Sequence, residues 1–415
     1  MRLAAADGVR AIDLGGTVRA DGVANSLARA REVMRAVGIT RLANVTGLDH
    51  IGVPTWMAVR PLARSLSVSQ GKGLTHDLAR VSALMECIEL HHAEHFVPRG
   101  HLQSLGAADE DPRYVDPLLL PIHPSAAIDE ASAVEWVEGH DLIAECARWV
   151  PRDCIDVDTS SARERTPLFL GSSNGLASGN TRSEAMLHAV CEVIERDQES
   201  FWFARKQLSI DERDSRLRLD SVTDPNCRWL LDRCREAGLE VVVWSTAQDL
   251  TLPCFMCTLF DRHANTYYPQ RASGSGCHPY RRIALSRAIT EALQSRLTLI
   301  AGGRDDMYWS LYEDGLRVDD EAGRTWGDAL VGEPALVEFE DVREAPALAS
   351  IEALLAWVLD ALAAGGLAQA VVVDLTQSRI GIPVVHVSVP GLEGPIMKDG
   401  YTPGPRMQAM LAGRL

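Results

Sequence analysis

The sequence predicts an α+β fold in which mixed β-sheets are surrounded by helices, and three observations carry that expectation. Long stretches with helical periodicity recur at about Thr75 to Phe96, Thr181 to Phe203 and Tyr280 to Gly302. Short apolar, strand-like runs lie between and after them, such as Leu239 to Trp244 and Pro253 to Phe260. The first two of these helices carry several acidic residues along one face and the third carries Glu291 beside Arg287, which ties them to one another through chemistry rather than through repetition.

Taken in order, residues 1 to 20 contain Asp13-Leu14-Gly15-Gly16-Thr17, similar to a sugar-kinase phosphate turn and weak as a signal on its own. Ala24 to Val37 reads as a helix that Gly38 stops. Ile51 to Pro61 and Ser65 to Gln70 read as strands, and the first long helix follows with Ser82, Glu86 and Glu89 on one flank. Gly71-Lys72-Gly73-Leu74-Thr75 is not a phosphate-binding P-loop, because the earlier glycine and the hydroxyl residue straight after Gly-Lys are missing. Residues 100 to 165 read as peripheral loops with strands such as Ala133 to Val137, and Leu168 to Leu170 as a strand leading into the central motif.

That motif is Gly175 to Glu184 and the helix it opens. Thr181 and Glu184 have capping-box spacing, which marks the helix start. At about 100° per residue, Glu184, His188, Glu192, Glu195 and Glu199 fall within an arc of roughly 80°. Like charges stacked this way repel. Ala185, Met186, Leu187, Ala189, Val190, Val193 and Ile194 form an apolar surface that requires burial, so the acidic stripe is expected to line a cleft. Buried carboxylates require cations there, from basic side chains or from a hard divalent metal.

Cys227 to Ala237 follows as a helix, and Gly274 to Pro279 reads as a turn into the third long helix, where Arg287, Glu291, Gln294 and Thr298 share a face. Residues 306 to 350 read as a peripheral excursion. A helix over Ile351 to Ala364, strands over Gln369 to Asp374 and Pro383 to Val389, and a Gly/Pro-rich tail over 391 to 415 complete the chain.

Composition narrows the function classes. The 415 residues are 46% hydrophobic and 24% charged, enough for a large core. The formal charge of −16 argues against nonspecific nucleic-acid binding and against docking on an anionic membrane, and suits a basic peptide partner better. No signal peptide or membrane-length apolar run is evident, and the nine scattered cysteines fit a reducing compartment, so the expected location is cytoplasmic. Cys254 and Cys257 lie in an apolar strand and read as core thiols rather than as half of a zinc site. His91-x-x-Glu94-His95 matches the ligand pattern of inverse zincins and sets a zinc peptidase against the readings below. Its bland counterpart is a polar helix end.

Carboxylates on three helices, with arginines nearby and no P-loop, point to a nucleotide held through magnesium, with guanidinium groups on phosphate. The residues resemble the YcaO family. Ser69-Gln70-Gly71-Lys72-Gly73 with Ser82 to Glu89 is similar to its first motif, and Gly179-Asn180-Thr181 through Glu184 to Glu192-Val193-Ile194-Glu195-Arg196 to its second. Gly276-Cys277-His278-Pro279 through Arg287 and Glu291 to Gln294-Ser295-Arg296 is similar to the third, and Val389-Pro390-Gly391-Leu392-Glu393 to the C-terminal signature.

The resemblance implies a YcaO-like fold around a central nucleotide cleft, in one catalytic domain over 1 to 415 whose ATP and Mg2+ motifs lie in about 60 to 305. It also implies an enzyme that spends ATP to phosphorylate a peptide amide oxygen after a nucleophile has added. By motif position Glu86, Glu89, Glu192 and Glu195 would hold magnesium. Arg19, Ser26, Glu86, Asn180 and Glu184 would contact the nucleotide, Arg196 and Arg287 its phosphates, and Arg196, Arg287 and Glu291 would serve catalysis.

Two departures stand out. Leu90 follows Glu89 where the family often has arginine, and Pro403-Gly404-Pro405 is followed by ten further residues instead of ending in Pro-x-Pro-x-Pro. The chain is most similar to the subgroup that works with a TfuA partner, which implies backbone thioamidation of a peptide or protein with sulfide as nucleophile. An azoline-forming cyclodehydratase is the runner-up, and a noncatalytic peptide-binding accessory protein a third reading. A homodimer would be usual for the family.

Overall fold

The computed structural model describes residues 8–97, 99–160, 167–207, 215–247, 249–261, 271–309, 312, 335–394 and 401–412. Most of the expected excursion over 306 to 350 and parts of the 391 to 415 tail therefore lie outside the described residues.

Near the start, β1 (Ile12–Asp13) and β2 (Val18–Arg19) form a hairpin that leads into α1 (Val23–Val33). A three-stranded antiparallel sheet follows, with β3 (Arg41–Asn44), β4 (Thr55–Val59) and β5 (Val68–Lys72) in that order. Next comes α2 (His76–Glu94), whose start is capped by the Thr75 hydroxyl accepting from Leu78 N at 3.3 Å. After β6 (Gly100–Ser104), α3 (Leu105–Asp109), β7 (Ala133–Asp141), β8 (Cys146–Pro151) and β9 (Leu176–Ser178), the central helix α4 spans Arg182–Gln207.

Helix α5 (Pro225–Glu236) precedes a second three-stranded sheet of β10 (Leu239–Ser245), β11 (Cys254–Asp261) and β12 (Arg271–Cys277), and α6 (Arg281–Ala301) follows it. Then α7 (Ile351–Ala364), β13 (Val371–Asp374), β14 (Val384–Ser388) and α8 (Pro405–Leu411) close the chain. The largest sheet has the order β6-β7-β13-β14-β9, with β8 also on β7. Among the described residues no helix is long and apolar enough to cross a membrane.

The large sheet separates two cores, and strand alternation assigns its residues to them. Val371, Val373 and Val384 pack with Leu84 and Ile88 of α2 on one side. Val372, Val385 and Val387 pack with Val190 and Ile194 of α4 and Leu355 of α7 on the other. A third core joins α5, α6, β10 and β11.

Each sheet presents an edge strand to the three long helices. Strand β5 lies between α2 and α6, β9 between α2 and α4, and β12 between α4 and α6. The close approach depends on glycine: a Cβ on Gly71 of β5 would stand 2.1 Å from Ala83 N of α2. On β12, a Cβ at Gly274 would stand 2.2 Å from Ala292 N of α6, and at Gly276 2.2 Å from Ala284 O. This corrects the turn read over Gly274 to Pro279. Those glycines continue a strand, where the missing side chains admit a helix. Leu168 to Leu170 makes only a bridge, between Phe169 and Ile122, and β9 instead feeds the central motif.

Candidate functional site

The edge strands bring Glu86 and Glu89 of α2 and Glu192 and Glu195 of α4 within one another's electrostatic reach, with Glu291 of α6 joined to them through Arg196. Glu89 of α2 accepts from Ser178 N at 2.8 Å and Ser178 Oγ at 2.6 Å, both at the end of β9. Glu195 of α4 is 3% exposed and accepts from Cys277 N at 2.8 Å, at the end of β12. Glu291 of α6 takes Lys72 Nζ of β5 at 2.6 Å and Arg196 Nη2 of α4 at 3.3 Å. Each long helix is thus fastened to the site through a strand end or a strand side chain.

Electrostatics show that these acids share one field. Burial first, with Glu89 adding and Arg304 and Lys72 opposing, pushes Glu86 up to about 7. Burial likewise raises Glu89 to about 7 against the hydrogen bonds of Ser178. It raises Glu192 to about 8, where Arg196 opposes and Glu195 and Glu89 reinforce. Glu291 goes the other way: Lys72 and Arg196 overcome its burial and hold it at about 2. Glu86, Glu89 and Glu192 each remain partly accessible to solvent.

A second constellation gathers at the start of α4. The Thr181 hydroxyl accepts from Glu184 N at 3.1 Å, the expected half of a capping box. The Glu184 carboxylate, 3% exposed, turns elsewhere: to Ala20 N at 2.8 Å, Asn180 Nδ2 at 3.2 Å and Arg19 Nη1 at 3.4 Å. Ser26 Oγ donates to Asn180 Oδ1 at 2.9 Å. The hairpin and α1 therefore bring Arg19 and Ser26 to Asn180 and Glu184 from more than 150 residues away. Asp13-Leu14-Gly15-Gly16-Thr17 is the bend of that hairpin, anchored by Arg282 Nη1 on Asp13 Oδ2 at 2.9 Å.

The arginines differ in how they are held. Arg196 meets Glu199 at 3.0 Å, Ser275 Oγ at 3.2 Å, Glu291 at 3.3 Å and Glu195 at 3.6 Å, so carboxylates largely balance its charge. Arg287 Nη2 donates to His188 Nε2 at 3.1 Å, and its Nε is buried without a partner. A buried guanidinium N–H without an acceptor is costly, and an anion would satisfy it.

The residues fit Mg2+ and a nucleotide. The raised acids lack positive charge that divalent cations would supply, and Arg287 Nε lacks an acceptor that a phosphate oxygen would supply. Among the described residues, no three His, Cys, Asp or Glu side chains form a ready-made metal cage. Magnesium takes one or two carboxylates and completes its shell with phosphate and water.

The zincin pattern is used differently. Arg60 Nη1 and Nη2 each reach a Glu94 oxygen at 2.6 Å, and Ser65 N donates to the same carboxylate at 2.9 Å. His91 and His95 stack at 4.4 Å. Glu94 is a buried ion-pair partner at a helix end rather than an open acid-base group. Cys254 and Cys257 are buried in β11, where burial pushes both thiols up.

Sequence reading had no role for Lys72, Ser178, Ser275 or Arg304. Lys72 was visible inside Gln70-Gly71-Lys72-Gly73, whereas Arg304 follows α6 and carries no pattern. With Lys72 it provides positive charge beside Glu86 that the sequence lacks after Glu89.

The fold is a mixed α+β frame in which acids on three long helices gather around Arg196 and Arg287. Residues 70–393 match the family described as YcaO cyclodehydratase, ATP- and Mg2+-binding. An uncharacterized protein in the tfuA 3′ region of Rhizobium leguminosarum bv. trifolii is 35% identical over 381 residues, 89% of this chain and 87% of its own length. The chain belongs to the YcaO family, whose domain binds ATP and Mg2+.

YcaO from Methanopyrus kandleri bound with AMPPCP and Mg2+ superposes with a TM-score of 0.73 at 22% identity, over 96% of this chain and 99% of that one. A heterocyclase in complex with substrate and cofactor superposes with a TM-score of 0.76 at 21% identity, covering 98% of this chain. This chain spans 57% of that heterocyclase's length. At these identities the likeness is one of fold, and it matches the α+β architecture expected from the sequence.

Proposed function

We propose that this chain is an ATP- and Mg2+-dependent enzyme that activates a peptide backbone amide and exchanges its oxygen for sulfur. The observation that carries the amide-activation reading is the convergence of Glu86, Glu89, Glu192 and Glu195 with Arg287, whose buried Nε lacks an acceptor. ATP with magnesium would supply the phosphoryl group that turns an amide oxygen into a leaving group.

The chain's own residues have separable tasks. Glu86, Glu89, Glu192 and Glu195 would ligate the cations, with Glu86, Glu89 and Glu192 losing their protons as they do so. Asn180 and Glu184, braced by Arg19 and Ser26, would receive the nucleoside end. Arg287 would bind phosphate, and Arg196, balanced by three carboxylates, would hold the phosphates at closer to neutral cost. Glu291, ionised across the physiological range, would keep Lys72 and Arg196 aligned rather than transfer protons. Phosphoryl transfer responds mainly to such positioning and charge neutralisation.

Thioamidation with a TfuA-like protein delivering sulfide is favoured by the relative in a tfuA region. A cyclodehydratase is favoured by the family description, and by the heterocyclase of like fold. Intact-mass comparison of peptides and proteins from cells with and without this chain and a TfuA-like partner separates them. An oxygen-to-sulfur mass gain supports thioamidation, and loss of water supports azoline formation. The reading includes a cytoplasmic location and a homodimer.

A further inference from the structure

We propose that His188 is a positioning residue for Arg287, orienting its guanidinium toward a phosphate without cancelling its charge; this rests on the nucleotide reading above. His188 stands on α4 between Glu184 and Glu192, one turn from each. Its Nε2 accepts from Arg287 Nη2 at 3.1 Å, so the ring carries its proton on Nδ1 and is neutral. The groups that act on it come from every side: Arg287 of α6, Arg19 of β2, Lys72 of β5 and His278 ahead of α6. Burial foremost, then Arg287, Arg19 and Lys72, hold it well below the ordinary histidine value, so it remains an acceptor.

The contrast with Arg196 gives the arrangement its meaning. A carboxylate partner orients a guanidinium but offsets its charge, as Glu199, Glu195 and Glu291 do for Arg196. A neutral imidazole orients Arg287 without an ion pair; Glu195, Glu291 and Glu192 act on it only through the field, and its unpartnered Nε is left for an incoming anion. On a helix face otherwise lined by glutamates, histidine is the side chain that does this.

The test is calorimetric binding of Mg–AMPPCP and, separately, of adenosine to the full chain carrying His188→Gln, His188→Asn or His188→Glu. Glutamine places its carbonyl oxygen near the Nε2 position, whereas asparagine reaches only the Nδ1 position. Mg–AMPPCP affinity should stay within about threefold in His188→Gln and fall by roughly tenfold or more in His188→Asn and His188→Glu, with adenosine affinity unchanged in all three. Equal affinities for the glutamine and asparagine variants would overturn the proposal, as would parallel losses for adenosine, which mark a merely structural role. Full Mg–AMPPCP affinity in His188→Glu would overturn the charge argument. Wild-type protein that binds no Mg–AMPPCP would instead remove the nucleotide reading itself.

Discussion

Arg406→Ala tests how the end of the chain braces the cleft. Arg406, at the start of α8, donates to Asp197 Oδ1 at 2.8 Å and Oδ2 at 3.3 Å, and to Gly391 O at 3.0 Å. It also pairs with Asp249 at 2.5 Å and lies 4.9 Å over the Phe201 ring. Asp197 directly follows Arg196, and its side chain is fully buried. Gln198 Nε2 at 2.8 Å and Glu393 N at 2.7 Å are its other partners, neither of them charged.

Removing the guanidinium therefore strands a buried carboxylate, at a cost of about 3–5 kcal/mol. Asp197 is already pushed up to about 6 by burial, with Arg406 opposing, so the variant would protonate it still higher. Urea unfolding at neutral pH reads the loss, and the same change in an Asp197→Asn background should cost about 2 kcal/mol less. A loss under about 1 kcal/mol, equal in both backgrounds, would refute the argument that this pair holds the tail against α4.

Other consequences follow from the same charges. In EDTA, Glu86, Glu89 and Glu192 hold protons in the folded protein up to about 7, 7 and 8, while the unfolded chain releases them near the ordinary glutamate value of 4.5. At these three groups the native state binds more protons in that window, so their contribution to thermal stability should fall as pH rises from about 5 to 8, opposed below about 6.5 by the buried histidines, and Glu192→Gln should lose less stability than the wild type across that window; identical pH profiles would contradict the raised acid. Lys72→Met should lower ATP turnover by roughly tenfold or more, because it removes the foremost of the three cations holding Glu291 ionised, with a circular-dichroism spectrum like that of the wild type. Glu94→Gln should lower the unfolding midpoint by breaking the Arg60 pair, and wild-type protein should carry no stoichiometric zinc; stoichiometric zinc lost in His91→Ala would restore the peptidase reading.

Much of this architecture was legible in the chain because helix faces repeat with a period that residues must obey. Ile351 to Ala364 was read with the bounds it adopts, and the three acidic helices were placed to within a few residues. Strand β12 was misread because Gly274 and Gly276 look like turn residues until α6 is known to pack on them. Strand β9 is only three residues long and has no alternation to detect. In the candidate site, the acids carried their own pattern, whereas their partners did not. Ser178 and the Cys277 amide act through strand ends, and Arg304 reaches Glu86's field from a loop, so tertiary placement alone reveals them.

A crystal structure of the full chain grown with Mg2+ and AMPPCP addresses the central claim most directly. The triphosphate should lie between α2, α4 and α6, with metal density bridging it to Glu192 and at least one other of the four acids and with a phosphate oxygen on Arg287 Nε. Nucleotide bound elsewhere, or an empty cleft at saturating ligand, would contradict it.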